Sequence, residues 1–221
     1  ADTGMDVLTH AVEAYTSTLA NDYTDGLALQ AIKLVFENLE SSVKNGDFVS
    51  REKMHNASTM AGMAFANAFL GMSHSMAHKV GGFFHTVHGR TNAILLPYVI
   101  RYNGTRPAKT STWPKYNYYR ADEKFQDIAR MLGLPSSTPE EAVDALAKAV
   151  YELGERVGIE MNFKAQGVDE KEWKETIHEI ALLAYEDQCS PANPRLPMVN
   201  HMEEILADAY YGYAARPGRL K

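Results

Sequence analysis

The sequence predicts an all-α fold, a multi-helix bundle formed by residues 1–221 as a single helical domain. Three observations predict it. Apolar residues recur at helical spacing through most of the chain, helix-start residues precede several of these runs, and no segment alternates apolar and polar as a half-buried strand does.

Residues 4–20 are expected to form the first helix, with Met5, Leu8, Val12 and Tyr15 on one face. The pattern begins almost at once after Ala1-Asp2-Thr3-Gly4, with no initiator Met, which predicts that the chain is part of a longer polypeptide. A second helix is expected over about 24–43, carrying Leu27, Ala31, Val35 and Leu39 and stopping at Asn45-Gly46. A third, about 51–70, reads as apolar all round after Ala57 (Met60, Met63, Phe65, Phe69), which predicts a place at the centre of the bundle. Gly71 breaks that pattern and a histidine-rich stretch follows to His88. The apolar segment Ala93–Tyr102 holds Pro97, which predicts a kink or an early stop. Residues 103–119, rich in Gly, Pro, Thr and Tyr, read as a surface insertion. Further helices are expected near 120–132, 138–157, 169–187 and 200–214. Thr138-Pro139-Glu140-Glu141 offers a capping box with proline in the first turn, Asp169-Glu170-Lys171-Glu172 repeats the logic, and Asn200-His201-Met202-Glu203 does so again.

Composition narrows the function classes. A net charge of −6 supplies no basic field for a nucleic acid or an anionic membrane. The single cysteine, Cys189, rules out an internal disulfide and fits a reducing cytoplasm. No apolar run approaches the ~20 residues that span a bilayer, and there is no signal peptide. There is no P-loop and no Gly-x-Gly-x-x-Gly turn after a strand, so the sequence holds no recognisable nucleotide cradle.

Four of the eight histidines fall between positions 74 and 88. His74 and His78 are four apart and share a helical face, as do Asp6 and His10. Two such pairs on neighbouring helices can converge on one ion, and imidazole with carboxylate suits iron or zinc. Spacing does not decide which of His74, His78, His85 and His88 are ligands. The segment lacks the adjacent glutamate of His-Glu-x-x-His zinc proteases. A metal-dependent hydrolase on a helical bundle is one alternative, with Asp2 or Glu13 as its general base; an assembly module is another.

The run Gly4-Met5-Asp6-Val7-Leu8-Thr9-His10-Ala11-Val12-Glu13 resembles the first signature of the iron-dependent (group III) alcohol dehydrogenases, and Gly71-Met72-Ser73-His74-Ser75-Met76-Ala77-His78, continuing to His88-Gly89, resembles the second. Asn92–Pro97 and Asn193-Pro194-Arg195 are similar to further family segments, and Tyr185–Arg195 with the 103–119 insertion resembles the bifunctional aldehyde-alcohol dehydrogenase branch. The resemblance implies the helical, C-terminal half of a two-domain NAD-dependent enzyme, with the α/β cofactor domain absent from this chain. It implies metal ligands at Asp6, His10, His74 and His88, with Fe2+ as the metal and Zn2+ as the alternative. His78 would stand near substrate and nicotinamide as a polar or proton-relay group, and Phe65 and Cys189 would line the substrate pocket. His85 receives no role. The implied reaction interconverts a small primary alcohol, such as ethanol, and its aldehyde in fermentation. The implied partners are the enzyme's own cofactor domain and further copies in a homo-oligomer, and the chain alone is expected to be inactive.

Overall fold

The computed structural model describes residues 1–107 and 119–212. The helices are α1 (Asp2–Thr16), α2 (Asp22–Lys44), α3 (Phe48–Ala68), α4 (Met72–Phe84), α5 (His88–Gly104), α6 (Ala121–Met131), α7 (Pro139–Arg156), α8 (Glu170–Tyr185) and α9 (Val199–Tyr211). A 3-10 turn at Ser190–Ala192 precedes α9, and no strand occurs among the described residues.

Local chemistry accounts for many of the boundaries. Asn21 closes a capping box with Thr24 at the start of α2. Thr138 accepts the Glu141 N–H ahead of Pro139 in α7, and Asp169 accepts two N–H groups at the start of α8. Around Asn200 the expectation shifts: α9 begins at Val199, with Met198 preceding it and His201 Nδ1 accepting the Met198 N–H.

Two apolar clusters fill the interior. One joins α1, α2, α3, α6 and α7, around Leu8, Val12, Ile32, Val35, Phe125 and Leu146. The other joins α4, α8 and α9, around Met76, Trp173, Ile180 and Leu206. Helix α5 belongs to both: Ala93, Leu96 and Ile100 face the first, and Ile94, Leu95, Tyr98 and Val99 face the second.

Three expectations change. The central helix is α5, not α3. On α3 only one stripe is buried, Ser50, Ala57, Ala61, Ala64 and Ala68, where small side chains let α1 and α2 approach. Met54, Met60 and Phe65 pack half-buried against the first cluster, while Met63 is 46% exposed and Phe69, just past the end of α3, 55%. Pro97 neither stops nor shortens α5, which runs through it to Gly104; a proline lacks only its own N–H, and burial on every side holds the helix together. The 103–119 segment is not wholly a surface insertion. Asn103 and Gly104 complete α5 and are buried, the Tyr119 hydroxyl donates to the Asn103 carbonyl, and Arg106 forks onto Asp122. Residues 108–118 lie outside the described residues.

Candidate metal centre

Helices α1, α4 and α5 meet at one end of the bundle, and each brings part of a histidine–carboxylate cluster. On α1, Asp6 and His10 are one turn apart, with Asp6 Oδ2 3.9 Å from His10 Nδ1. His74 projects from the first turn of α4, its Nε2 3.6 Å from Asp6 Oδ1. His88 opens α5 and brings its Nε2 to 3.6 Å from the same oxygen. That approach depends on the next residue. A Cβ on Gly89 would lie 2.3 Å from the Asp2 carbonyl oxygen, so only glycine lets the start of α5 sit this close to α1.

Donor atoms of Asp6, His74 and His88 all lie within 4.8 Å of one another. The His10 ring stacks on that of His74 at 4.5 Å and on Phe65 at 4.6 Å, beside this trio. His74 is 1% exposed, and its Nε2 has no hydrogen-bond partner, since 3.6 Å is too long for one. A buried imidazole nitrogen left without a partner and aimed at a carboxylate and two further imidazoles is a set of donors suited to a borderline divalent cation.

The charges are strongly coupled. Burial opposes charge on Asp6, but His74, His10 and His88 around it outweigh that and hold its carboxyl below the usual range. Burial also opposes charge on His74, yet Asp6 and Glu13 on its two sides push it up to about 9. Burial and the adjacent His74 bring His10 down to about 4, against the pull of Asp6. His88 is lowered chiefly by burial, then by His74 and His78.

His78 lies one turn beyond His74, outside the trio. Its ring stacks on His88 at 5.6 Å, while its Nδ1 sits 3.2 Å from Asp187 Oδ2. Helical spacing put His78 on the same face as His74, and the two rings lie 6.1 Å apart; the segment after α8 then holds His78 through Asp187. Asp187 also pairs with Lys79 Nζ at 2.8 Å and accepts the Cys189 N–H at 3.0 Å. Cys189 is buried beside them, and burial, reinforced by Asp187, pushes its thiol up to about 12. His85 ends α4 in the left-handed region, with φ 53°, and lines a separate hollow of about 490 Å³ with Phe83, Val87 and Arg90. A second hollow, about 510 Å³, lies between Thr3, Leu39 and Arg51. Neither touches Asp6, His10, His74 or His88.

Three polar partners were not singled out as such from the sequence. Glu13 accepts the His74 Nδ1–H at 2.6 Å. Asn92 donates to Asp6 Oδ1 at 2.9 Å and lies 3.2 Å from His88 Nε2. Asp187 holds His78. Glu13 is seven residues from Asp6 and Asn92 four from His88, so helical spacing could have found both; Asp187, 109 positions from His78, gave no local signal. The two acidic groups considered as a hydrolytic base are engaged otherwise. Asp2 forms a two-pronged ion pair with Arg90, at 3.0 and 3.1 Å, and Glu13 is buried against His74.

The family model described as "Fe-containing alcohol dehydrogenase family, C-terminal" matches residues 1–210. The chain belongs to the Fe-containing alcohol dehydrogenase family. It is 83% identical over 221 residues to the "Aldehyde-alcohol dehydrogenase" of Streptococcus pneumoniae serotype 2, covering all of this chain and 25% of that protein. It is 61% identical to "Aldehyde-alcohol dehydrogenase 2" of Entamoeba histolytica, covering 97% of this chain and 24% of that protein. The solved structure of a "1,3-propanediol oxidoreductase" aligns with a TM-score of 0.82 at 37% identity, covering 95% of this chain and 51% of that one. The chain thus spans about a quarter of the curated relatives and about half of the solved structure. Its all-helical fold is that of the C-terminal region of the Fe-containing alcohol dehydrogenases.

Proposed function

We propose that this chain is one helical, metal-holding domain of an NAD-linked alcohol dehydrogenase that interconverts ethanol and acetaldehyde in fermentation. The observation that carries this reading is the buried, unpartnered Nε2 of His74, facing Asp6 and His88 with His10 alongside. Asp6, His10, His74 and His88 would hold the ion, Fe2+ by family and Zn2+ by the same donor chemistry. A divalent cation there supplies a Lewis acid that polarises the oxygen of an alcohol or aldehyde. The chain's own residues orient and enclose. His78, tethered at Nδ1 by Asp187, keeps Nε2 available to pass a proton between substrate and solvent. Phe65, which lies against His10, and buried Cys189, near His78, would form apolar walls of a small-substrate pocket. The nicotinamide would be held by another part of the longer protein. The relatives' names support an alcohol–aldehyde substrate class; the choice of ethanol rests on the resemblance to the bifunctional branch. Self-association belongs to the same reading.

The test uses the full-length protein. Asp6→Ala and His74→Ala are each expected to lower bound metal and to abolish NAD-dependent ethanol oxidation. Unchanged metal stoichiometry in both variants would sink the assignment.

A further inference from the structure

Helix α4 starts without a capping side chain of its own, because Gly71 occupies its N-cap. The N–H groups of Gly71 and of the first two helical residues are nevertheless satisfied from elsewhere in the chain. Gly71 N–H donates to Glu13 Oε2 at 3.0 Å, Met72 N–H to Asn193 Oδ1 at 3.2 Å, and Ser73 N–H to Glu13 Oε1 at 2.6 Å. Glu13 is 3% exposed, on α1, two turns from Asp6. Its Oε2 also accepts a hydrogen bond from the His74 Nδ1–H, at 2.6 Å. A single buried carboxylate therefore gathers two backbone donors and one ring donor. Gly71 is what lets it come so near, since a Cβ there would stand 3.0 Å from Glu13 Oε1 and 2.8 Å from Asn193 Oδ1.

From this geometry we propose that Glu13 is a positioning residue that makes His74 a metal ligand, by holding the proton on Nδ1 so that Nε2 presents its lone pair to Asp6, His10 and His88. A neutral imidazole carries one N–H, and the acceptor on one nitrogen decides which nitrogen is free. A carboxylate accepts only, so at Glu13 it fixes the ring as Nδ1–H and raises the basicity of Nε2. The same carboxylate clamps the first turn of α4 to α1, setting the angle at which the ring leaves the helix. Asp6 and Glu13, on one helix, thus address opposite nitrogens of one imidazole. This inference rests on the metal-centre reading above and assigns Glu13 no contact with substrate.

Glu13→Gln is the sharpest probe because it is nearly isosteric. Three N–H groups converge on the two oxygens of Glu13, and an amide offers only one acceptor oxygen there. Whichever way it turns, its NH2 meets a donor or makes Nδ1 the acceptor, which places a proton on Nε2. Zinc(II) affinity of the full-length protein, measured by competition with a chromophoric chelator, is expected to fall about tenfold to a hundredfold in Glu13→Gln. In a His74→Ala background the same substitution is expected to have no further effect, because the ring it positions is gone. Far-ultraviolet circular dichroism of the metal-free variant should match that of the unmodified protein. If His74→Ala weakens zinc binding but Glu13→Gln does not, or if Glu13→Gln weakens it equally without His74, the positioning role is overturned and the metal centre stands. If His74→Ala leaves zinc binding unchanged, the metal-centre reading itself falls. Should Glu13→Gln fail to fold, the crystal structure of the unmodified full-length protein loaded with zinc decides. Ligation through His74 Nε2 with Glu13 still on Nδ1 supports the proposal, and ligation through Nδ1 overturns it.

Discussion

His74 and His10 lie side by side, yet their charge preferences are opposite, because the first has carboxylates at both ring nitrogens and the second is hemmed in by burial and by His74 itself. The sign for stability follows from each. His74 is raised to about 9, so its contribution is full below an unfolded value near 6.5 and is lost as pH rises through 9. His10 is lowered to about 4, so its contribution is present above 6.5 and is lost as pH falls through 4. Together they place the stability maximum of the metal-free protein near pH 6.5, with a lower thermal midpoint expected at pH 9 and at pH 4.5. A metal held by the cluster displaces the His74 proton, so zinc loading should remove the decline on the alkaline side; a decline of the same size with zinc bound would count against His74 as a ligand. Gly89→Ala is expected to destabilise by about 1–3 kcal/mol despite the better helix propensity of alanine, because the new methyl group meets the Asp2 backbone rather than a flexible side chain. A thermal melt unchanged by that substitution would contradict the close approach of α1 and α5. At this scale the sequence was most legible where chemistry repeats at helical spacing. Asp6 with His10 and the histidine run marked the cluster, and His78 does share a face with His74, but a shared helical face does not say which neighbour the side chain meets, here Asp187.

Two elements were legible from their starts. Thr138 and Asp169 cap α7 and α8 as their sequences indicate. Asp169→Ala is expected to cost about 1 kcal/mol, read as a lower urea midpoint, with metal binding unaffected because α8 contributes no residue to the cluster. The rank of the helices within the bundle was less legible. Helix α3 carries as many apolar residues as a central helix but fully buries only Ser50 and its alanine stripe, with Met54, Met60 and Phe65 half-covered, whereas α5, which runs through Pro97, is buried along most of its length. Composition cannot separate these cases. A small-residue stripe lets neighbouring helices pack closely, and burial along most of α5 offsets the cost of the hydrogen bond that Pro97 cannot make. Leu96, wholly buried on α5, tests this placement: Leu96→Ala is expected to destabilise by about 2–5 kcal/mol, and Met63→Ala on the exposed side of α3 by much less.

For the molecule as a whole, the cluster is only partly enclosed. His74 is sealed in, but the His88 side chain is 45% exposed and that of His78 34%. Such a face agrees with a chain that spans a quarter of its aldehyde-alcohol dehydrogenase relatives. Residues 1–221 expressed alone are expected to show no NAD-dependent ethanol oxidation while the full-length protein does; turnover by the fragment would show that the cofactor is held within these residues. The double membership of α5 has a separate consequence, for the order in which the protein comes apart. Neither apolar cluster can open fully without stripping one side of the same helix, so the two should melt as one cooperative unit. Amide hydrogen exchange should report this directly, with the slowest amides of both clusters, among them those along Ile94–Ile100, exchanging at one common rate set by global unfolding.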